Sequence, residues 1–292
     1  MTDLPKFISP ERPVLIAGPT ASGKSAIALE IVSKQGGVIV NADALQVYAN
    51  WRILTARPSQ AEEDIAPHAL YGHIPGDQSY SAGHWLRDVK AFLNTDTRPV
   101  IVGGTGLNFT VLTEGLAEIP AVPPETRQLA DRKLADEGPQ ALLADLDALT
   151  ISRIDTLNPA RIQRAWEVQQ ATGRGLAHWQ DATPPPALPL DQADTILLNA
   201  DRDWLSERIE RRFDSMMADG ALAEVERNLP GWDPSQPSAK AIGAPELVAH
   251  LKGQMSLTEA RDSAVIATRQ YAKRQRTWFR SRMKDWNQVQ LS

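Results

Sequence analysis

The sequence predicts an α/β fold in which a parallel sheet is flanked by helices. Three short apolar runs, Val14–Ala17, Val38–Val40 and Val100–Val102, are each followed by a segment with helical spacing of apolar residues. Alternation of this kind is typical of parallel strands joined by crossover helices. The first run leads into a glycine-rich loop, 18–25, that opens a helix. Together these observations predict a sheet of the P-loop NTPase type, with a small all-helical insertion domain that we derive below.

The loop at 18–25 reads GPTASGKS, which has the glycine, lysine and serine spacing of a phosphate-binding loop. A strand that turns into a helix aims backbone N–H groups and the positive end of the helix dipole at an anion. Lys24 adds a positive charge, and Ser25 offers a hydroxyl to a Mg²⁺ ion held on the same phosphates. We therefore predict a polyphosphate or pyrophosphate ligand and Mg²⁺ as cofactor. The predicted diphosphate-binding residues are Gly18, Pro19, Thr20, Ala21, Ser22, Gly23, Lys24 and Ser25.

The second and third strands end in residues that belong on the same rim of the sheet as this loop, because ligands bind at the carboxyl ends of parallel strands. Asp43 follows the second strand, where a carboxylate can bind Mg²⁺ through water or accept a proton from a nucleophile. The turn Gly103–Gly106 follows the third strand, and its Thr105 adds a hydroxyl. The third strand does not end in an acidic residue, which counts against nucleotide hydrolysis.

A helical insertion is predicted between residues 120 and 190. Prolines open this stretch and Pro184–Pro186 close it, while its middle is rich in Ala, Leu, Asp and Arg at helical spacing. The fourth strand, Thr195–Leu198, follows, and the chain then has helical spacing almost to its end. We assign residues 1–119 and 191–292 to the α/β core with its C-terminal helices, and 120–190 to the helical insertion.

Composition limits the classes of protein to which the chain can belong. It has 292 residues, of which 42% are hydrophobic, and no cysteine, so disulfides and thiolate metal sites are excluded. The five histidines are scattered, which argues against a histidine metal site. Met1–Arg12 lacks the apolar core of a signal peptide, and no apolar run is long enough to cross a membrane. We expect a monomeric cytoplasmic protein with no membrane partner.

Positive charge is concentrated near the C-terminus. Seven basic and no acidic residues lie between 269 and 284, and subtracting them from the net charge of −5 leaves −12 for the rest of the chain. On a helix, residues 269, 273, 276 and 280 share one face. Positive charges on one helix face repel one another when no acidic residue lies at helical spacing from them, unless an anion binds there. This pattern favours contact with a polyanion such as nucleic acid.

The order of several segments resembles the tRNA dimethylallyltransferases, also called isopentenyl-diphosphate:tRNA isopentenyltransferases. The resemblance extends over nearly the whole chain, and its most specific parts are the proline after Gly18 and the C-terminal Lys-Arg-Gln-x-Thr-Trp-Phe pattern. The matching segments are GPTASGKS at 18–25, NADALQVY at 41–48, TARP at 55–58, YS at 80–81, GGTGL at 103–107, RAWE at 164–167 and ATRQYAKRQRTWFR at 267–280.

This resemblance implies a reaction. A five-carbon dimethylallyl group moves from dimethylallyl diphosphate to the exocyclic amine of the adenosine 3′ of the anticodon, and diphosphate leaves. Lys24, the loop amides and Mg²⁺ on Ser25 would stabilise the charge that develops on diphosphate. Asp43 would accept the proton of the amine, and Thr20 and Thr105 would line the catalytic pocket.

The resemblance also implies that the anticodon arm of tRNA is the partner of the basic helix and of the helical insertion. The adenine would leave its stack to reach the site. The candidate tRNA-binding residues are Asp43, Ala44, Leu45, Gln46, Thr105, Arg127, Ala160, Arg161, Ile162, Gln163, Arg164, Lys240, Ala241, Ile242, Gly243, Ala244, Pro245, Arg269, Lys273, Arg274 and Arg276.

Two other functions remain open at this point. A small-molecule kinase could use ATP on the same loop, although the basic C-terminal helix argues against it. A protein that binds RNA without catalysis would share the basic helix but would have no use for Asp43.

Overall fold

The computed structural model describes residues 8–291, so most of the segment in which we looked for a signal peptide lies outside the described residues. The chain divides into two compact units. One combines the described residues up to Thr113 with those from Ala187 onward, and the other is Glu114–Pro186. The second unit corresponds to the predicted insertion at 120–190, with both bounds a few residues earlier, and it ends at the predicted proline break.

A six-stranded sheet forms the centre of the first unit, and every strand pair in it is parallel. The strand order across the sheet is β3-β2-β4-β1-β5-β6. The strands are β1 (Val14–Ala17), β2 (Val38–Asn41), β3 (His68–Ala69), β4 (Pro99–Gly103), β5 (Asp194–Ala200) and β6 (Gln288–Leu291).

The register of the central strands determines where the loops meet. Ala17 at the end of β1 lies opposite Gly103 at the end of β4, and Asn41 at the end of β2 lies opposite Val102. The segments that follow these three strands therefore leave the sheet at one edge. As predicted, this edge brings together the phosphate loop, Asp43 and the Gly103–Gly106 turn.

The described residues contain thirteen α-helices. They are α1 (Lys24–Gln35), α2 (Gln60–Ile65), α3 (Ala82–Leu93), α4 (Gly106–Glu114), α5 (Pro124–Glu137), α6 (Pro139–Ala144), α7 (Ala148–Arg153), α8 (Pro159–Thr172), α9 (Leu176–Asp181), α10 (Arg202–Ala218), α11 (Ala221–Asn228), α12 (Ala244–Leu251) and α13 (Leu257–Arg282). Of these, α5–α9 belong to the second unit. Short 3₁₀ helices occur at Leu190–Gln192, Leu229–Gly231 and Pro237–Lys240.

Alternate residues of the strands pack on opposite faces of the sheet, as the pleat of a strand requires. Leu15 and Ile101 face a core built with α3, α4 and the end of α13. Ile16 and Val102 face a second core built with α1. A further core joins α10–α13, and it includes Phe213 on α10.

The longest helices begin where side chains satisfy the free N–H groups of the first turn. The Asp201 carboxylate accepts from Asp203 and Trp204 at the start of α10. Ser256 and Glu259 form a capping box at the start of α13. These caps fix where the two helices that border the phosphate loop begin.

The four predicted strands are present, and the insertion is helical throughout, with helices α5–α9. Two strands were not predicted. β3 has only two residues, which is too short for a periodic pattern, and β6 has the polar sequence QVQL at the edge of the sheet. The expectation of helices almost to the C-terminus holds as far as Arg282, and β6 lies beyond that point. Within residues 8–291, no helix combines the length and apolarity that a membrane crossing would need.

Candidate active site

The phosphate loop has the backbone of an anion cradle. Gly23 precedes α1 with a φ of 89°, and Ala21 also has a positive φ, of 60°. The Ser22 N–H donates to the Pro19 carbonyl, which closes the turn. Because α1 has no acidic residue in its first turn, the positive end of its dipole is not neutralised there. This loop can accept an anion at the start of α1.

Lys24 projects into the cradle, where burial lowers the pKa of its ammonium to about 8. The nearby Asp43 carboxylate opposes this shift, and the Arg212 guanidinium adds to it. An arriving polyphosphate would favour the charged form, so anion binding and proton uptake at Lys24 are linked.

Asp43 is held by its neighbours at the edge of the sheet. Its backbone N–H donates to Asn41 Oδ1 at 2.8 Å, and its Oδ1 accepts from the Leu45 N–H at 3.0 Å. Asn41 is fully buried and also donates from Nδ2 to the Asp43 carbonyl at 2.9 Å. The carboxylate is therefore fixed in direction.

Thr105 connects the Gly103–Gly106 turn to the segment after β2, because its hydroxyl accepts from the Ala44 N–H at 2.9 Å. The phenol of Tyr271, on α13, lies beside Thr105 and Gln275. Burial raises the pKa of Tyr271, and the charge of Asp43 raises it further. This tyrosine therefore stays protonated and can donate a hydrogen bond in the site.

Two arginines of α10 complete the cationic side of the site, and no role was predicted for them. Arg208 donates from Nε to the Ala21 carbonyl at 2.8 Å and lies over the Trp204 ring. Burial lowers the pKa of the Arg212 guanidinium, and the charge of Asp43 opposes the shift. The only signal in the sequence was the spacing of four between these arginines, next to the apolar stripe of the same helix.

One pocket joins part of this polar group to an apolar surface, and Thr105, which was predicted to line it, is not among its lining residues. Its polar lining is Thr20, Lys24, Asp43, Gln46, Thr55, Arg212, Thr268 and Tyr271. Its apolar lining is Leu45, Leu54, Ile209, Phe213, Met216 and Ile242. Such a lining suits an amphipathic ligand with an anionic head and a short hydrocarbon group.

The basic stripe of α13 forms a groove with the start of α10. Lys273, Arg276 and Arg280 line it, together with Arg202 and Arg269. Arg269 is ion-paired with Glu210 of α10, so its charge has a partner from another helix although α13 supplies none at helical spacing. The pairing was missed because Glu210 comes from another helix.

Arg274 does not share this groove. It lies over the Tyr271 ring and lines a separate surface with Trp278. The predicted tRNA-binding cations of α13 therefore divide between two sides of the helix.

In the insertion, the predicted tRNA-binding residues lie on and beside α8. Arg127 and Arg164 both lie within ion-pair distance of Glu167, at 3.5 and 3.7 Å, while Arg161 is exposed. Ile162 is buried in the core of this unit, so its side chain has no surface to offer to RNA. Gln163 donates to Asp131 and to Glu167, and Ala160 is exposed.

Segment 240–245 also contains both buried and exposed residues. Ala241 and Ala244 are buried in the core shared by α10–α13, and Gly243 is buried too. Ile242 lines the amphipathic pocket. Only Lys240 and Pro245 of this segment are exposed, so their side chains are the ones that can contact an RNA outside the pocket.

Comparison with known proteins decides the family. A family model described as IPP transferase matches residues 46–282, and another described as isopentenyl transferase matches residues 12–65. A tRNA dimethylallyltransferase of Cereibacter sphaeroides is 62% identical over 291 residues, which cover 100% of this chain and 92% of that protein. The chain belongs to the tRNA dimethylallyltransferase family. A member from Roseobacter denitrificans is 63% identical, with coverage of 95% of this chain and 98% of that one.

Solved structures agree with this family. A tRNA isopentenylpyrophosphate transferase from Bacillus halodurans has a TM-score of 0.68 at 28% identity, covering 96% of this chain and 90% of that one. A eukaryotic dimethylallyltransferase acting on tRNA has a TM-score of 0.82 at 21% identity, covering 96% and 74%. The second likeness establishes the fold alone. The resemblance predicted from the sequence and the P-loop type of sheet are confirmed, and the chain is a prenyl-transferring enzyme, not a small-molecule kinase or a non-catalytic RNA-binding protein.

For a tRNA dimethylallyltransferase, the donor set at the cradle decides how Mg²⁺ could be held. Ser25 is exposed in the first turn of α1 and presents one hydroxyl. No group of three or more His, Cys, Asp or Glu residues among positions 8–291 could hold a metal ion by itself. A single hydroxyl beside an anion cradle could serve a Mg²⁺ ion that keeps most of its waters and binds mainly to phosphates.

Proposed function

We propose that this chain transfers a dimethylallyl group from dimethylallyl diphosphate to the exocyclic amine of the adenosine 3′ of the anticodon in tRNA. The observation that carries the proposal is the amphipathic pocket. It places Lys24 and Arg212 in the same cavity as Phe213 and Ile242, with the Asp43 carboxylate also lining the wall.

The cationic side suits the diphosphate. Lys24 and Arg212 supply positive charge, and the start of α1 supplies backbone N–H groups. When bound, Mg²⁺ would neutralise part of the diphosphate charge, with Ser25 as its ligand. These groups stabilise the negative charge that grows on diphosphate as the bond between its oxygen and the allylic carbon breaks.

The apolar side suits the five-carbon group. Leu54, Ile209 and Phe213 are almost fully buried, so they are already removed from water before a ligand arrives. They would keep water away from the allylic carbon, because water would otherwise compete with the amine for that carbon.

The amine would be received beside Asp43. As the nitrogen forms its bond to the allylic carbon, its proton would pass to the Asp43 carboxylate, whose direction is fixed by Asn41 and Leu45. Thr105 holds the Ala44 backbone next to this position, and the Thr20 side chain lines the same cavity.

The tRNA would lie along the groove of α13. Lys273, Arg276 and Arg280 are the candidate phosphate contacts there, and Arg161 with Lys240 and Pro245 are exposed candidates elsewhere. We also propose that the protein acts as a monomer in the cytoplasm, which size-exclusion chromatography and fractionation of cells would check.

Incubation with dimethylallyl diphosphate, Mg²⁺ and unmodified tRNA tests the proposal. Digestion and analysis of nucleosides should yield prenylated adenosine with the wild-type protein and little with Asp43→Asn. Absence of the product, while a characterised family member forms it in the same assay, would refute the proposed function. Omission of Mg²⁺ tests the cofactor separately.

A further inference from the structure

Gln275 is buried between the two loops that form the candidate active site. Its side chain belongs to α13, and only 5% of the residue is exposed. Its Oε1 accepts from the Thr20 N–H at 2.8 Å, and its Nε2 donates to the Gly104 carbonyl at 2.9 Å. One carboxamide thus joins the phosphate loop to the turn after β4.

The two loops joined by this amide carry different parts of the chemistry. Thr20 belongs to the anion cradle, which also contains Lys24. Gly104 precedes Thr105, whose hydroxyl accepts from the Ala44 N–H next to Asp43. The separation of the cradle from the amine-receiving carboxylate therefore depends on how these loops are held relative to each other.

Gly104 permits the close approach that the bridge requires. A Cβ atom at position 104 would lie 2.3 Å from Gln275 Nε2 and 3.2 Å from Asp43 Oδ2. Any side chain at 104 would displace the amide, so glycine at this position and glutamine at 275 form one arrangement. The same distances show that Gly104 lies directly beside the Asp43 carboxylate.

The hydrogen bonds of the bridge require the side chain of residue 275 to be an amide. It needs one acceptor toward Thr20 and one donor toward Gly104, which a carboxamide supplies. An ionised glutamate would accept from Thr20 but would face the Gly104 carbonyl with a second acceptor. A protonated glutamate has both a carbonyl and an O–H, so it can restore both hydrogen bonds. Leucine supplies neither.

We propose that Gln275 is a positioning residue that sets the alignment of the anion cradle with the Asp43–Thr105 side of the pocket. The inference rests on the proposed function, because the alignment matters only if diphosphate and amine react between these loops. Gln275 does not line the basic groove formed by Lys273 and Arg276, so its loss leaves the candidate phosphate contacts of that groove in place. It acts on the rate of transfer, not on tRNA affinity.

Steady-state kinetics of Gln275→Leu and Gln275→Glu test this assignment, with Gln254→Leu as control at an exposed glutamine. A misplacement of about 1 Å at reacting groups costs about 100-fold in rate, so we expect kcat to fall by about that factor in Gln275→Leu. KM for tRNA should stay at the wild-type value. Gln275→Glu should recover activity relative to wild type as the pH is lowered, whereas Gln275→Leu should not. Gln254→Leu should behave as wild type.

Hydrogen exchange at the Thr20 amide provides a readout that does not depend on activity. We expect slow exchange in wild type and Gln254→Leu, and faster exchange in Gln275→Leu, with thermal unfolding measured to show that each variant is folded. Unchanged Thr20 exchange in Gln275→Leu would overturn the bridge. Wild-type kcat in that variant would overturn its role in alignment. If the wild type formed no prenylated adenosine, the proposed function would fail, while the exchange result would still decide the bridge.

Discussion

Arg208 donates from its Nε to the carbonyl oxygen of Ala21 at 2.8 Å, across 187 positions of sequence. Ala21 lies in the phosphate loop with a φ of 60°, a conformation that costs free energy for a residue with a side chain. Arg208 also stacks on Trp204, which limits its freedom. The shape of the cradle therefore depends on a side chain of α10 as well as on the loop's own glycines.

We therefore expect Arg208→Met to weaken the binding of dimethylallyl diphosphate. A hydrogen bond from a charged donor contributes about 1.5–3 kcal/mol, so KM for the diphosphate should rise by about 10-fold to 100-fold. Arg211→Met is the matched control, because Arg211 is exposed on the same helix. Equal KM values for the two variants would show that Arg208 does not support the cradle.

Asp43→Asn should lower kcat and leave the binding of diphosphate intact. A positioned general base contributes about 10²–10⁴ in rate, and the amide cannot take up the proton of the amine. Removal of a negative charge beside Lys24 should not weaken an anion's affinity. Single-turnover kinetics and pyrophosphate titration separate the two effects, with the exposed Asp77→Asn as control. A wild-type rate in Asp43→Asn would assign the proton to another group.

Binding of diphosphate should weaken as the pH rises above about 8, the value to which burial lowers the pKa of Lys24. The free protein loses the lysine proton above this pH, whereas the complex with an anion retains it, so binding requires proton uptake. Affinity should then fall by up to about tenfold per pH unit. Calorimetric titration of pyrophosphate from pH 6 to 9.5 measures the effect. Lys24→Arg keeps its charge, so its profile reports the ionisation of pyrophosphate itself, and the affinity of the wild type relative to this variant should fall above pH 8. A constant ratio of the two affinities over the whole range would contradict the assignment.

Glu224→Gln should destabilise the fold and disturb the apolar side of the pocket. The buried Glu224 carboxylate accepts from the backbone N–H groups of Arg52, Ile53 and Leu54, at 2.7 to 3.1 Å. An amide presents an NH₂ group to at least one of these donors, which leaves a buried polar group unpaired and costs about 1–3 kcal/mol. Chemical denaturation should show this loss of unfolding free energy. The exposed Glu226→Gln on the same helix should not lose it.

The salt dependence of tRNA binding tests the basic groove. The slope of log K against log salt is negative, and each lost phosphate contact decreases its magnitude by about 0.7–0.9. The double variant Lys273→Gln/Arg276→Gln should therefore decrease the magnitude by about 1.4–1.8. Lys34→Gln on α1 removes a charge that is paired with Glu30, and it should leave the slope unchanged. The same slope in wild type and the double variant would remove α13 from the RNA interface.

Local sequence was sufficient for the parts of the fold that depend on neighbouring residues. The four apolar strands, the phosphate loop at 18–25 and the helical insertion follow from composition and spacing over a few residues. Asp43 and Thr105 could be placed near the loop because parallel strands end at one edge of the sheet. Their roles remain predictions until the variants above are measured.

What the sequence could not supply are groups brought together from distant segments. Leu54, Phe213 and Ile242 form one apolar wall, although more than a hundred residues separate the first from the other two. Gln275 and Arg208 reach the phosphate loop from helices near the other end of the chain. Helical spacing shows which residues share a face but not what that face meets. Packing of α10 against α13 beside the phosphate loop decided these contacts, because burial of their apolar faces in one core fixes which polar side chains are carried into the site.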